Sequence, residues 1–220
     1  MTQVKICGIT NVEDALCVAK LGAEALGFIF YPPSPRYIEP ADVRKIASVL
    51  PDELVKVGVF VNENAAEVKR IVEFCGLDMI QFHGDESPAY CRQFPAAQII
   101  KAVELKNEAD LVNANSYNVR AILVDSRHAG LYGGTGKKAN WELACRIKNR
   151  KPLILSGGLS EKNIGKALKD VAPNALDINS GVELSLGKKD HAKLARIFDI
   201  IRHADVELNK MQLIFVRRGR

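Results

Sequence analysis

The segment VKICGITNVEDALCVAKLGAEALGFIF, residues 4–30, contains one complete structural unit of this chain. It begins with the apolar run VKIC (4–7) and ends with the apolar run ALGFIF (25–30). Between them, apolar residues recur at i, i+3, i+4 and i+7 from Val12, which is the period of an amphipathic helix. Strands that are apolar throughout are expected where both faces are buried. The segment therefore predicts a strand, a helix and a second strand.

The same unit recurs along the chain. Apolar runs start every 20 to 32 residues, a spacing that is too long for hairpins and fits a strand, a helix and two loops. The eight runs are VKIC (4–7), ALGFIF (25–30), LVKVGVF (54–60), MIQF (79–82), IIKAV (99–103), AILV (121–124), LILS (153–156) and ALDI (175–178).

Helical periodicity follows most of these runs. Further periodic segments begin at Val43, Val68, Ile164 and Leu194, and Trp141 to Lys148 is another candidate helix. The pairs Thr10 with Glu13 and Asn64 with Glu67 have capping-box spacing, which predicts that Thr10 and Asn64 cap the helices that follow them.

Eight strand–helix units in one series favour a single α/β domain built as a (β/α)8 TIM barrel. A doubly wound open sheet is the main alternative, and periodicity alone does not separate the two. Eight units in 220 residues would make an unusually wide open sheet. We expect a barrel over residues 1–204 and a C-terminal extension over 205–220, whose apolar stretch MQLIFV docks on the barrel, joins a subunit contact or is disordered.

Composition excludes several classes of protein. The chain is 47% hydrophobic and 26% charged, which is ordinary for a globular domain, and no run approaches the roughly 18 apolar residues of a membrane span. Its N-terminus lacks the pattern of a secretory leader, and its five cysteines form no CxxC, so we expect a cytoplasmic protein with reduced thiols. Four of the cations behind its +5 charge lie in the last eleven residues, which predicts no nucleic-acid partner.

In a barrel the site lies at the carboxyl ends of the strands. SGGLS (156–160) follows the seventh run and NSGVE (179–183) follows the eighth, which is where barrels commonly hold phosphate. Glycine amides there can approach an anion closely. A structural turn explains either motif alone, but the pair in these two places predicts a phosphate site.

Two candidate proton-transfer groups end other runs. Cys7 ends the first run, where helix N-termini and cations would draw its pKa toward neutral; the alternative is a buried structural cysteine. Asp125 ends the sixth run, and a salt bridge to Arg127 or Lys137 is its alternative. A thiolate base and a carboxylic acid facing each other suit proton shuttling on a sugar.

Three further features are ambiguous. Arg36 lies in the proline-rich loop YPPSPRY, where it would bind a carboxylate bidentately or form a salt bridge between loops. His83 would orient or polarise a substrate, or serve as a hydrogen-bonded structural histidine. GGTGKK (133–138) fails the spacing of a nucleotide loop and is better interpreted as an active-site loop, in which Lys137 or Lys138 would reach a substrate or lie in solvent.

Taken together, these motifs resemble one family. VKICGIT, LGFIFYPPSPRYI, VGVFVN, QFHGDE, IIKAV, VDS with GGTGK and Trp141, LSGGL, and LDINSGVE with GKKD resemble phosphoribosylanthranilate isomerase of tryptophan biosynthesis, in order, from about residue 3 to about residue 203. The resemblance implies an Amadori rearrangement of N-(5-phosphoribosyl)anthranilate without metal or cofactor. It implies a small-molecule phosphosugar as the partner. Composition predicts no nucleic acid or membrane, and the oligomeric state stays open between a monomer and a homodimer.

The resemblance also implies roles for individual residues. Cys7 matches the general base that takes the proton from the sugar C2, Asp125 the general acid that opens the ring, and Arg36 the group that binds the anthranilate carboxylate. The phosphate loops match at Gly157, Gly158, Ser180 and Gly181, and Asp177 and Glu183 match conspicuous family positions. Asn179 departs from the family pattern, since a serine is expected there.

Three other functions share part of this pattern. The related phosphoribosyl-formimino isomerase of histidine biosynthesis performs the same rearrangement on a larger substrate with two phosphates, with two aspartates as its acid–base pair. Cys7 in place of an aspartate, and only one clear phosphate site, argue against it. Indoleglycerol-phosphate synthase would bring a longer N-terminal segment and catalytic lysines. A phosphate-binding barrel without turnover would not need both Cys7 and Asp125.

Overall fold

A computed structural model describes residues 2–125, 141–205 and 214–215 of the chain. All eight predicted strands are present: β1 (Gln3–Cys7), β2 (Ala25–Ile29), β3 (Val55–Phe60), β4 (Met79–Phe82), β5 (Ile99–Val103), β6 (Ala121–Val124), β7 (Leu153–Leu155) and β8 (Ala175–Ile178). A short hairpin, β9 (Glu183–Ser185) and β10 (Lys188–Lys189), follows the last of them.

Helices follow the strands as the periodicity predicts. They are α1 (Val12–Leu21), α2 (Pro40–Ala47), α3 (Ala65–Cys75), α4 (Pro88–Cys91), α5 (Glu108–Ser116), α6 (Trp141–Lys148), α7 (Ile164–Val171) and α8 (His191–Asp205). Short 3-10 turns occupy Ala96–Gln98 and Ser180–Val182.

One of the two predicted helix caps is correct. The Asn64 side chain accepts a hydrogen bond from the Glu67 amide and caps α3. The prediction for α1 is wrong by one residue, because Asn11 is the cap and accepts from the Asp14 amide. The Thr10 hydroxyl instead donates to the Gly187 carbonyl at 2.5 Å, which ties the start of α1 to the β9–β10 hairpin.

The strands form a closed parallel barrel. Each pairs with the next in sequence, and β1 pairs with β8 in a register that sets Lys5 opposite Asp177. The barrel prediction is therefore confirmed, and the open-sheet alternative is wrong. A closed barrel leaves no strand edge exposed for pairing with other chains.

Successive side chains of each strand point to opposite sides of the barrel wall. In β6, Ala121 and Leu123 belong to the interior apolar cluster, whereas Ile122 and Val124 pack in the larger cluster beneath the helices. Burial on both faces explains why the strands are almost continuously apolar in sequence.

Two residues of the C-terminal extension join the interior cluster. Ile214 and Phe215 are buried, and both of their amides donate to the Gln3 side-chain oxygen, at 2.6 and 3.0 Å. Gln3 Nε2 donates in turn to the Phe215 carbonyl, and Arg120 Nε donates to that of Ile214. This pair therefore docks where β1 begins, at the amino-terminal end of the barrel, which we call the floor.

Some of the sequence predictions concern residues outside the described ranges or are not tested by the structure. The GGTGKK segment, with Lys137 and Lys138, and Arg127 fall outside the described residues, and the division at residue 204 stays a prediction. Among the helices of the described ranges, none combines the length and apolarity needed to cross a bilayer.

We expect Phe215→Ala to lower the free energy of unfolding by at least about 2 kcal/mol, because it removes a buried ring from the floor of the barrel. Urea unfolding at neutral pH measures this loss. Val112→Ala is the control, because Val112 is 71% exposed and its truncation should change stability by less than about 0.5 kcal/mol. Equal stabilities of the two variants would contradict docking of the extension.

Candidate functional site

A cavity opens at the carboxyl end of the barrel. Five of the predicted site residues line it together: Cys7, Arg36, His83, Asp125 and Asp177. The rest of its wall is formed by Ile29, Tyr31, Ser34, Val59, Val61, Gln81, Ser156 and Asn179. The structure thus brings together in one cavity side chains that lie as far apart in sequence as residues 7 and 179.

The alternation of the strands places these side chains. The interior positions of β6 are Ala121 and Leu123, and the next position with the same parity is Asp125. In β8 the interior series begins at Ala175 and continues through Asp177 to Asn179. The packed interior of the barrel therefore lies directly beneath the polar residues of the cavity and supports them.

Cys7 has a charged neighbour two residues earlier on the same side of β1. The Lys5 ammonium is fully buried and forms an ion pair with Asp177 Oδ1 at 2.7 Å. Burial by itself lowers the pKa of Lys5, but the charges of Asp177 and Cys7 outweigh it and leave that pKa raised.

The expectation of a lowered thiol pKa is wrong for this structure. Burial raises the pKa of the Cys7 thiol, and the opposing charge of Lys5 does not cancel the effect. Asp177 acts in the same direction as burial. The position at the strand end was predicted correctly, but a sequence does not show how completely a thiol is removed from water.

Asp125 is held by a histidine. Its Oδ2 lies 3.1 Å from His83 Nε2, and His83 Nδ1 lies 2.8 Å from Gln81 Nε2. An amide nitrogen can only donate, so Nδ1 accepts and a neutral His83 carries its proton on Nε2, directed at Asp125. Gln81 Oε1 is buried and accepts no hydrogen bond from the described residues.

The loop that carries His83 is fixed by a buried ion pair. Lys101 Nζ contacts Glu86 Oε2 at 3.0 Å and donates to the Gly84 carbonyl at 2.8 Å. Glu86 accepts from the amides of Asn62 and Gly84. These bonds connect β5 to the loops after β3 and β4, and so restrain the backbone beside His83.

Arg36 forms a salt bridge between loops, which is one of the two roles that the sequence predicts for it. Its Nε and Nη2 donate to the two carboxylate oxygens of Glu183, both at 2.7 Å. Lys189 Nζ also contacts Glu183 at 3.2 Å and donates to Asn179 Oδ1 at 2.9 Å. Within the described residues, Nη1 of Arg36 has no acceptor, so the Nη1–Nη2 edge remains available.

This cluster shifts the pKa of each of its charged groups. Burial raises the pKa of Glu183, but the hydrogen bonds from Arg36 and the charge of Lys189 outweigh it and leave that pKa lowered. The bond to Glu183 raises the pKa of Arg36. Burial lowers the pKa of Lys189 more than Glu183 raises it. Glu183 is therefore a carboxylate at neutral pH.

The two glycine-rich loops lie against each other. A Cβ added at Gly181 would overlap the Leu159 carbonyl oxygen, so only glycine allows this approach. Gly157 and Gly158 both have positive φ, at 87° and 63°. Among the described residues, the amides of Gly157, Gly158, Ser180 and Gly181 find no hydrogen-bond acceptor. The predicted phosphate residues thus offer four N–H groups from two adjoining loops.

Sequence reasoning missed Lys5, Gln81 and Lys189. The first two left a signal, because each is a polar residue inside a strand whose neighbours are apolar, VKIC and MIQF. A charged or amide side chain inside a barrel must find a partner there or line a site. Lys189 follows the eighth unit in the lysine pair of the GKKD motif, and its local pattern does not distinguish it from an exposed lysine.

Comparison with known proteins points to one family. The family model described as N-(5'-phosphoribosyl)anthranilate (PRA) isomerase matches residues 4–200. A relative from Syntrophus aciditrophicus, named N-(5'-phosphoribosyl)anthranilate isomerase, is 52% identical over 202 residues, which is 92% of this chain and 88% of the relative.

Solved structures agree. Phosphoribosyl anthranilate isomerase from Thermotoga maritima superposes with a TM-score of 0.85 at 42% identity, over 92% of this chain and 100% of the other. A second isomerase structure, in complex with reduced 1-(o-carboxyphenylamino)-1-deoxyribulose 5-phosphate, gives a TM-score of 0.82 at 40% identity over the same shares.

We expect Glu183→Gln to lower the free energy of unfolding by about 3 kcal/mol at neutral pH, because it breaks a buried ion pair and leaves Arg36 uncompensated. Because the pKa of Glu183 is lowered in the folded protein, the pair stabilises the fold above the ordinary carboxyl pKa and loses that effect as the pH falls through the lowered value. Urea unfolding of both proteins at neutral and at acid pH should show the difference shrinking with acidification.

Glu161→Gln is the matched control for this prediction. Glu161 also binds an arginine through both oxygens, at 2.9 Å each, but on the exposed surface. Exposed pairs contribute little to stability, so this variant should lose far less than Glu183→Gln. Comparable losses would show that burial of the Arg36 pair has no energetic consequence.

Proposed function

Because this chain belongs to the N-(5'-phosphoribosyl)anthranilate isomerase family, we propose that Cys7 and Asp125 carry out its Amadori rearrangement as base and acid. The resemblance drawn from the sequence is thus confirmed, and the chain is an enzyme of the isomerase step in tryptophan biosynthesis. The observation that carries the proposed roles is that these two side chains line one cavity together with Arg36.

Asp125 opens the sugar ring in this proposal. Its carboxyl group gives a proton to the furanose oxygen, the bond from that oxygen to C1 breaks, and the anthranilate nitrogen forms a Schiff base with C1. The hydrogen bond between His83 Nε2 and Asp125 Oδ2 fixes the orientation of the carboxyl group in the cavity.

Cys7 then moves the proton that makes the isomerisation. Its thiolate takes the proton from C2, and the electron pair of that bond forms an enolamine between C1 and C2. Return of the proton from Cys7 to C1 and loss of the C2 hydroxyl proton to the Asp125 carboxylate give the ketone at C2. Both groups regain their starting protonation, and the product has the same atoms as the substrate. A buried thiol suits this step, because thiolate basicity increases as water is excluded.

Arg36 binds the anthranilate carboxylate in this proposal. Glu183 occupies the Nε–Nη2 edge of the guanidinium, and the Nη1–Nη2 edge can bind a second carboxylate bidentately. Glu183 therefore holds Arg36 in place and also leaves it a free binding edge. Asp177, which pairs with Lys5, lines the wall beneath the sugar.

The phosphate of the substrate lies between the loops after β7 and β8. The amides of Gly157, Gly158, Ser180 and Gly181, which have no acceptor among the described residues, supply its hydrogen bonds. The Asn179 side chain accepts from Lys189, so the departure from serine is accommodated without an orphaned group.

The five free cysteines support a reducing, cytoplasmic location.

We expect Cys7→Ala and Asp125→Asn each to lower kcat by about 100- to 10,000-fold, because each removes one proton-transfer group. The loss of N-(5'-phosphoribosyl)anthranilate fluorescence follows turnover, and circular dichroism reports the fold. Cys75→Ala is the control, because Cys75 is buried between α3 and the start of α2 and should leave kcat unchanged. Wild-type turnover in Cys7→Ala or Asp125→Asn would refute the assigned roles.

We expect Gly181→Ala to raise KM about tenfold with a smaller change in kcat, because its Cβ forces the two phosphate loops apart. Steady-state kinetics separate the two constants. Gly165→Ala in α7 is the control, because its Cβ would meet only Ile200 at 3.8 Å. An unchanged KM for Gly181→Ala would place the phosphate elsewhere.

A further inference from the structure

One buried group beside the reacting thiol has no part in the mechanism above. Lys5 is fully buried in the barrel, and burying an ammonium is costly unless it is paired. An apolar residue would fill the same interior position, as Val55 and Met79 do in β3 and β4. The cost of burying a charge at this position indicates that the ammonium has a function.

The geometry places the Lys5 ammonium next to the Cys7 sulfur. The two residues are separated by one position on β1, so their side chains lie on the same side of the strand. Gly27 of β2 pairs with Cys7 and has no side chain to separate the groups around it. A Cβ at Gly27 would lie 2.7 Å from Cys7 Sγ and 2.9 Å from Lys5 Nζ, so both atoms border the same small space.

We propose that Lys5 is a positioning residue that acts through Cys7, with its ammonium serving as the counter-charge of the thiolate. Asp177 holds the ammonium in place from β8 and supplies one of its hydrogen-bond acceptors. The other N–H groups of Lys5 remain for the sulfur when it is ionised. This inference rests on the proposed role of Cys7 as the base.

Other charged groups around Cys7 fit this assignment. Arg36, after β2, and Lys189, on β10, both interact electrostatically with Cys7, and both are already paired with Glu183. The surrounding cluster thus holds three basic side chains against the carboxylates of Asp177 and Glu183. A thiolate completes the charge balance. Asp125 and His83 face the same cavity from β6 and the loop after β4.

The two ends of the Lys5–Asp177 pair should affect Cys7 in opposite directions. Lys5 favours the thiolate and Asp177 opposes it, so Lys5→Met should raise the titration midpoint of Cys7 and Asp177→Asn should lower it. A pair with only a structural role would change the thiol in the same direction when broken from either end.

The experiment measures the pH dependence of Cys7 alkylation by iodoacetamide in the unliganded enzyme, with peptide mass spectrometry to separate the five cysteines. We expect the midpoint to rise by about one pH unit or more in Lys5→Met, to fall in Asp177→Asn, and to stay near the wild-type value in Lys5→Arg. Cys17, which lies on α1 away from the cavity, is the internal control in every digest.

Kinetics provide a second measurement. In Lys5→Met the loss of kcat should be about tenfold or more at neutral pH and should diminish as the pH rises, because thiolate then forms without the counter-charge. A loss of kcat that is equal at every pH would overturn the proposal, as would midpoints that move together or not at all. If Lys5→Met fails to fold, Asp177→Asn still decides, because only a midpoint below that of the wild type agrees with the proposal.

This test is independent of the catalytic role of Cys7. Activity retained in Cys7→Ala would refute the proposed function, whereas the alkylation midpoints report the coupling of Lys5 to the thiol without substrate. Loss of activity in Cys7→Ala together with unshifted midpoints would refute only the role of Lys5.

Discussion

Closure of eight parallel strands into a barrel restricts where polar side chains can be placed. Every second residue of each strand points into one interior, which has room for a few layers of side chains. In this chain the lower layers are filled by small and branched apolar residues such as Ala121 and Leu123. Interior positions near the carboxyl ends of β1 and β8 and just after β6 then open on the cavity, where Cys7, Asp177 and Asp125 lie. The site is thus the top layer of the core, and its rigidity comes from the packing beneath it.

A site that lies on the hydrophobic core has the low effective dielectric constant of the protein interior. Charges there are stable only when paired, and the structure pairs them in connected groups: Lys5 with Asp177, Arg36 and Lys189 with Glu183, and Lys101 with Glu86. The Lys5–Asp177 and Arg36–Glu183 pairs link segments that are distant in sequence, and Lys101–Glu86 links β5 to the loop after β4, so these pairs restrain the strands and loops around the cavity. Water exclusion also strengthens the hydrogen bonds offered to a developing charge. One physical condition therefore stabilises the loops and prepares the chemistry.

The sequence predicted the architecture well and the site in part. Strands buried on both faces are recognisable because their runs are short and apolar, and the helices between them because their faces are amphipathic. The ends of the strands followed from the same runs, which is why Cys7 and Asp125 were found. Partners are harder to predict, since Glu183 lies 147 residues from Arg36 in the sequence and meets it only in the folded barrel. The thiol pKa was predicted in the wrong direction, because it depends on complete burial, and spacing along a chain does not report burial.

The two ends of the barrel separate stability from chemistry. At the amino-terminal floor, Ile214 and Phe215 cover the apolar interior, and Gln3 satisfies their backbone groups. At the carboxyl-terminal mouth, the interior is left open and is lined by ionisable groups. Apolar cover at the floor can vary without altering the reacting atoms, because the interior layers lie between the two ends. Lys5 differs from the floor residues, because it lies between the core and the cavity and a change there affects both. Its ammonium must be paired for the barrel to fold, and the same ammonium lies near the sulfur, where it favours the thiolate, so one charge serves both folding and catalysis.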